Sequence, residues 1–183
     1  MPNFHSYSAA ARPLPESQFP ARLPSAQSLL ERIFTLAPGV IAQLDTGGNL
    51  LMVGCGTGEL LRWWGGLFPR SRFAGLDASE WNIACARHYA REAGRANIWF
   101  ERGSVPDQGF GSHFHVVLHL SPDGALTTED FSSLFGSLYP GGTLFLRHDA
   151  GPVTGALQDA GFALVRHVVL PDEALPHLYI ARR

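Results

Sequence analysis

Three glycines at alternating positions, Gly54, Gly56 and Gly58, sit between an apolar run and a helix-forming stretch. A strand that enters a helix through so tight a turn needs residues that accept positive φ or lack a Cβ. A ligand resting on that turn needs close backbone approach. The exposed N–H groups at the start of the helix then face the ligand. Nineteen residues after Gly58, Asp77 ends the next apolar run. A carboxylate at that strand end can accept both hydroxyls of a ribose, the chemistry of a nucleoside site in an α/β fold. The plainer role for Asp77 is to cap the next helix. The dinucleotide pattern Gly-x-Gly-x-x-Gly/Ala is excluded, because counting from Gly54 its third glycine falls on Glu59.

Two histidines end later apolar runs, His119 and His148, and Asp149 follows as a partner for His148. Histidine is the natural general base at neutral pH where a substrate must lose a proton, so both are candidate catalytic residues. Their plain reading is as strand-end surface residues. His113, His115 and His119 share strand parity, but four residues of strand span ~13 Å, so no metal site is expected. Trp63, Trp64 and Trp81 could stack on bases, yet on helices beside a sheet they read as core.

These residues require alternating strands and helices to hold them. Apolar runs at 50–53, 73–76, 98–101, 115–120 and 143–147 read as strands, the Val116-Val117-Leu118 core being typical of parallel strands covered on both faces. Helices are expected over 59–67, 80–92, 128–138 and 155–160. Two final strands, 163–170 and 177–181, are joined by so short a link that they must be antiparallel. Before the glycine loop, Ser25 is placed to cap an amphipathic helix through Leu29, Leu30, Ile33, Phe34 and Leu36. Pro38-Gly39 interrupts it, and a second apolar turn follows. Residues 1–24 carry five prolines and read as an extended arm, leaving 25–183 as a single domain. The fold class is α/β, doubly wound, with a mostly parallel sheet flanked by helices.

The bulk properties narrow the field. The chain has 183 residues, enough for one such domain, with 45% hydrophobic and 16% charged residues. A net charge of −2, from 14 basic and 16 acidic side chains, offers no broad basic surface, so nucleic acid is not an expected partner. Cys55 and Cys85 fall in regions that read as core and build no disulfide framework. No secretory signal is evident and no apolar run approaches the ~20 residues of a membrane span, so the expected location is the cytoplasm.

Four segments together resemble the ordered motifs of class I S-adenosylmethionine-dependent methyltransferases. They are Leu51-Met52-Val53-Gly54-Cys55-Gly56-Thr57-Gly58, Gly75-Leu76-Asp77-Ala78-Ser79, Phe114-His115-Val116-Val117-Leu118 and Leu138-Tyr139-Pro140-Gly141-Gly142-Thr143-Leu144. Asp159-Ala160-Gly161-Phe162 resembles the turn that family places before its sixth strand, so the likeness covers residues 48–183. It implies a seven-stranded Rossmann-like sheet of order 3-2-1-4-5-7-6 with strand 7 antiparallel, and S-adenosyl-L-methionine as cofactor. The loop Gly54, Cys55, Gly56 and Gly58 would lie under its methionine and ribose portions. Asp77 would hold the ribose and Ala78 would lie near the adenine. Ser104 and Val105 would flank the adenine edge, and His119, Leu120 and Ser121 would face the methyl donor.

Three positions depart from the family pattern. Met52 stands where an acid is common, Ser104 where the strand-three loop commonly has Asp, and His115 where the fourth strand commonly has Asp. Ser104 can still accept a hydrogen bond, though a neutral one is worth roughly half a charge-assisted one. The loops after the fourth and fifth strands are short, which leaves only the arm and its helix to cover a substrate. The expected function is methyl transfer to a small-molecule or protein-bound acceptor. The alternative is a degenerate methyltransferase fold acting as a non-catalytic partner of another protein or of a second copy.

Overall fold

The computed structural model describes residues 26–120, 126–170 and 177–183. The expected arm, the cap at Ser25, the site residue Ser121 and the link between the last two strands lie outside them. The described chain runs α1 (Ala26–Leu36), α2 (Pro38–Thr46), β1 (Asn49–Val53), α3 (Glu59–Leu67), β2 (Arg72–Asp77), α4 (Glu80–Glu92) and β3 (Ile98–Arg102). It continues through α5 (Val105–Gln108), β4 (Phe114–His119), α6 (Thr128–Ser137), β5 (Leu138–Arg147), α7 (Thr154–Asp159), β6 (Ala163–Val169) and β7 (His177–Arg182).

The seven strands form one sheet in the order β3-β2-β1-β4-β5-β7-β6. The first five pair in parallel, and β7 runs antiparallel to both β5 and β6. This is the expected topology. The middle strands are buried on both faces, which is why their sequence is continuously apolar rather than alternating. In β1, Leu50 and Met52 pack on one side with α1 to α4, while Leu51 belongs to the opposite core with α5 to α7. Two cores therefore clamp the sheet and hold the strand ends in register.

Local sequence explains most boundaries. Gly58 in the left-handed region precedes α3, and the Ser79 hydroxyl accepts the Asn82 N–H at the start of α4. At α6 the Thr127 hydroxyl accepts from Asp130 N while the Asp130 carboxylate accepts from Thr127 N, a complete capping box. Several expectations need correction. Pro38 starts a second helix, because a proline at the first helical position gives up no hydrogen bond. Leu138 opens β5 rather than closing α6, so that strand is 10 residues long. Its Pro140-Gly141-Gly142 reads as a turn in sequence, yet it is absorbed where the β4–β5 register shifts. Cys85 is only partly buried. Of the tryptophans, Trp64 is core while Trp63 and Trp81 are exposed. Among the described residues, no helix is long and apolar enough to cross a membrane.

Candidate active site at the carboxyl edge of the sheet

The glycine loop leaves the carboxyl end of β1 with Gly54, Gly56 and Gly58 at φ 69°, 55° and 71°. These are left-handed conformations that cost a residue with a Cβ about 1–2 kcal/mol. The three glycines do not do the same work. A Cβ on Gly58 would stand 2.5 Å from Phe100 Cζ and 3.1 Å from Ala86 Cβ, so this glycine lets α3 close onto α4 and β3. A Cβ on Gly56 would meet nothing within 4 Å, so this glycine borders open space above the loop. Cys55 N donates to Leu76 O at 2.9 Å, tying the loop to β2. Burial, with Asp77 nearby, pushes the Cys55 thiol up to about 12, so it is an uncharged filler and no nucleophile.

Asp77 carries out the structural role open to it in the sequence and leaves room for the other. Its Oδ1 accepts Ser79 N at 2.9 Å and Asn82 Nδ2 at 3.0 Å, which pins the start of α4. Its Oδ2 accepts Gly56 N at 2.8 Å, which pins the loop. A carboxylate has about four lone-pair directions, so one remains on Oδ2 for a further donor. Ala78 is exposed beside it, and Gly103 N donates to Asp77 O at 3.1 Å, bringing the loop after β3 to the same edge.

Other expected cofactor residues stand differently. Ser104 does not offer its hydroxyl proton outward. Its N–H and Oγ both donate to Asp107 Oδ2, at 3.0 and 2.6 Å, and these bonds hold the exposed Asp107 carboxyl below its usual range. Ser104 is thus the cap of the one-turn α5, and the carboxylate in this loop is Asp107. The Ser-x-x-Asp spacing was the available signal. Val105 and Leu120 have buried side chains, and Met52 is wholly buried among the residues under α3 and α4.

The second half of the edge is built by β4 and β5. His119 has its Nδ1 shielded from solvent with no partner. Burial pushes its pKa down, opposed by its own backbone and by the Asp130 charge and reinforced by His148. Asp130, in the first turn of α6, was not expected from sequence, since only the fold brings its charge within range of His119. Asp149 is not the partner of His148. It pairs with Arg147, whose Nε and Nη2 donate to Asp149 Oδ2 at 2.9 and 2.7 Å. Arg147 is 6% exposed and its Nη1 has no partner. His115 serves the scaffold: its Nδ1 accepts Asn49 N at 3.0 Å, with the ring against Tyr139. Among the described residues, no three His, Cys, Asp or Glu side chains gather as a metal site.

Solved structures of methyltransferases share this architecture. The CurJ carbon methyltransferase aligns at TM-score 0.63 and 16% identity over 86% of this chain, which spans about half (52%) of that protein. CalS10, an amino pentose methyltransferase from Micromonospora echinaspora solved with bound S-adenosylmethionine, aligns at TM-score 0.67 and 18% identity, covering 86% of this chain and 89% of that one. A chain from the complex of the Haloferax volcanii Trm112 methyltransferase activator with a methyltransferase aligns at TM-score 0.63 and 16% identity, covering 86% and 92%. At such identities the likeness establishes the fold alone. No curated protein matches the sequence. The family model of the methyltransferase domain matches residues 50–142, from the first strand of the sheet through the turn within β5. With just over half its length matched, the chain belongs to the methyltransferase domain family.

Proposed function

We propose that the chain is an S-adenosylmethionine-dependent methyltransferase whose cofactor lies on the Gly54–Gly58 loop and whose acceptor lies over the ends of β4 and β5. One observation carries the reading: a left-handed glycine loop with open space above Gly56, fixed to an Asp77 carboxylate that keeps one acceptor direction unspent. One open acceptor direction beside an open loop suits a ribose hydroxyl of a nucleoside. In this reading the loop residues Gly54, Cys55 and Gly56 carry the methionine and ribose portions on their backbone, and Asp77 accepts from the ribose. Ala78 and Val105 border the adenine, with Asp107 supplying the negative charge that Ser104 does not.

When bound, S-adenosylmethionine supplies an electrophilic methyl group on a sulfonium. In-line transfer of that group asks chiefly for positioning, and a base is needed only where the acceptor carries a proton. His119 suits that task, because burial keeps its ring neutral near pH 7 and its Nδ1 is unspent. The Asp130 charge would stabilise the ring once protonated. The acceptor itself, whether a small molecule or a protein-bound group, is left open. Met52 in the core and Ser104 spent on a helix cap favour a second reading, a non-catalytic partner protein built on the same fold.

Calorimetric titration of the full chain with S-adenosylmethionine tests the reading. Saturable one-to-one binding is expected, with D77N weakened about tenfold through loss of a charged acceptor. No heat at millimolar cofactor would leave the partner reading standing.

A further inference from the structure

At the opposite end of the sheet from the glycine loop, a cavity of about 670 Å³ lies against the amino ends of β1 to β4. It follows from the crossover between β3 and β4, which is only 11 residues long and contains the single turn α5. That turn cannot roof the outer strands on its own side. Trp99, the second residue of the edge strand β3, is left 45% exposed as a result. Trp99, Phe110 and Phe114 form the apolar wall, stacked edge to face at centroid separations of 5.9 and 5.3 Å. The lining contains no Asp or Glu, and it includes Arg70 and Arg72. Neither arginine side chain has a hydrogen bond or ion pair among the described residues. By contrast, the polar groups beside them are spent. The Asn97 amide donates to Gly65 O, Phe68 O and Ser71 O, and the Ser71 hydroxyl donates to Leu44 O and accepts Gly48 N.

We propose that this cavity is a second binding site, separate from the methyl-transfer edge, for a small planar aromatic anion. Ring faces and edges on one wall suit a flat apolar body. Two uncommitted guanidinium groups on the rim suit a carboxylate or similar oxyanion, which they can grip in bidentate fashion. The volume is in the range of sites that enclose ligands of drug size. The absence of any acid in the lining makes a cationic or neutral occupant the poorer match.

The test is a ¹H–¹⁵N NMR titration of the full chain with 2-naphthoate, run beside its neutral analogue 2-naphthamide, with S-adenosylhomocysteine added separately. The expected result is a saturable shift of the Trp99 indole N–H with naphthoate, about tenfold weaker binding of naphthamide, and about tenfold loss of naphthoate affinity in R70Q/R72Q. Both arginines are exposed, so the double variant should keep the wild-type spectrum elsewhere. Equal affinity for acid and amide, an unchanged R70Q/R72Q, or shifts at the glycine loop would overturn the proposal. So would a Trp99 shift that depends on protein concentration without ligand, which would mean a second copy occupies the cavity. Because the homocysteine titration reads the other end of the sheet, failure here leaves the methyltransferase reading untouched, and the reverse also holds.

Discussion

The two halves of the carboxyl edge are built on different terms. At β1 and β2 the groups that face the site are already engaged: Asp77 holds Gly56, Ser79 and Asn82, Cys55 holds Leu76, and Gly103 reaches Asp77. At β4 and β5 lie the two buried side-chain nitrogens without partners among the described residues, His119 Nδ1 and Arg147 Nη1. An unsatisfied buried donor or acceptor costs about 1–3 kcal/mol, so the second half carries strain that the first does not. The first half is the more fully hydrogen-bonded, and on the proposed function it is where the constant ligand, the cofactor, would sit. Among the described residues, the second half leaves His119 Nδ1 and Arg147 Nη1 each unpartnered, on opposite faces of the sheet.

That contrast can be broken by substitution. The largest effect is expected at Gly58, where alanine meets both a forbidden φ and the Phe100 ring. G58A should lose about 3 kcal/mol in urea unfolding and its cofactor binding with it, while G56A should lose only about 1 kcal/mol. Equal losses would mean that the loop does not divide its glycines between packing and ligand space. Next comes D149A, which leaves the Arg147 guanidinium buried and unpaired; a loss of about 2–3 kcal/mol is expected, larger than for R147M, which removes the charge itself. The reverse order would show that Arg147 is not a buried charge needing its partner.

A smaller effect separates the halves by pH. Burial holds His119 and His115 below the ordinary histidine value of 6.5, so the unfolded chain takes up protons that the folded chain refuses. Their share of stability is intact above pH 6.5 and declines as the pH falls below it. Urea midpoints compared on either side of 6.5 should fall toward acid, and H119N should flatten part of that slope; an unaltered slope would remove His119 as a buried neutral base. The smallest change is expected far from both halves. Leu164 is 75% exposed with φ 51° on β6, so L164G should raise stability by a few tenths to about 1 kcal/mol, read as a higher melting temperature.

The first half was also the more legible in sequence. Its signals are local: Gly58 and Ser79 mark the helix starts on either side of β2, and α3 and α4 follow at the expected residues. The second half depends on contacts between distant segments. Asp130 stands in the first turn of α6 and only the fold brings its charge within range of His119, so no spacing in the sequence announces it. Asp149 was assigned to His148 by adjacency, whereas its carboxylate accepts from the Arg147 guanidinium two residues back. Pro140-Gly141-Gly142 reads as a loop because its strand role rests on a register shift against β4. The open β2–β3 face was invisible for a related reason: a missing roof leaves no residue to read.

On the proposed function, the cradle stands ready before the cofactor arrives. Amide NMR of the chain titrated with S-adenosylmethionine tests it most directly. Saturable shifts are expected, confined to Gly54, Gly56, Gly58, Asp77, Ala78 and the 103–107 loop, with the remaining strands unmoved. Shifts absent from the glycine loop, or spread through the whole sheet as they would be if binding had to build the site, would contradict it.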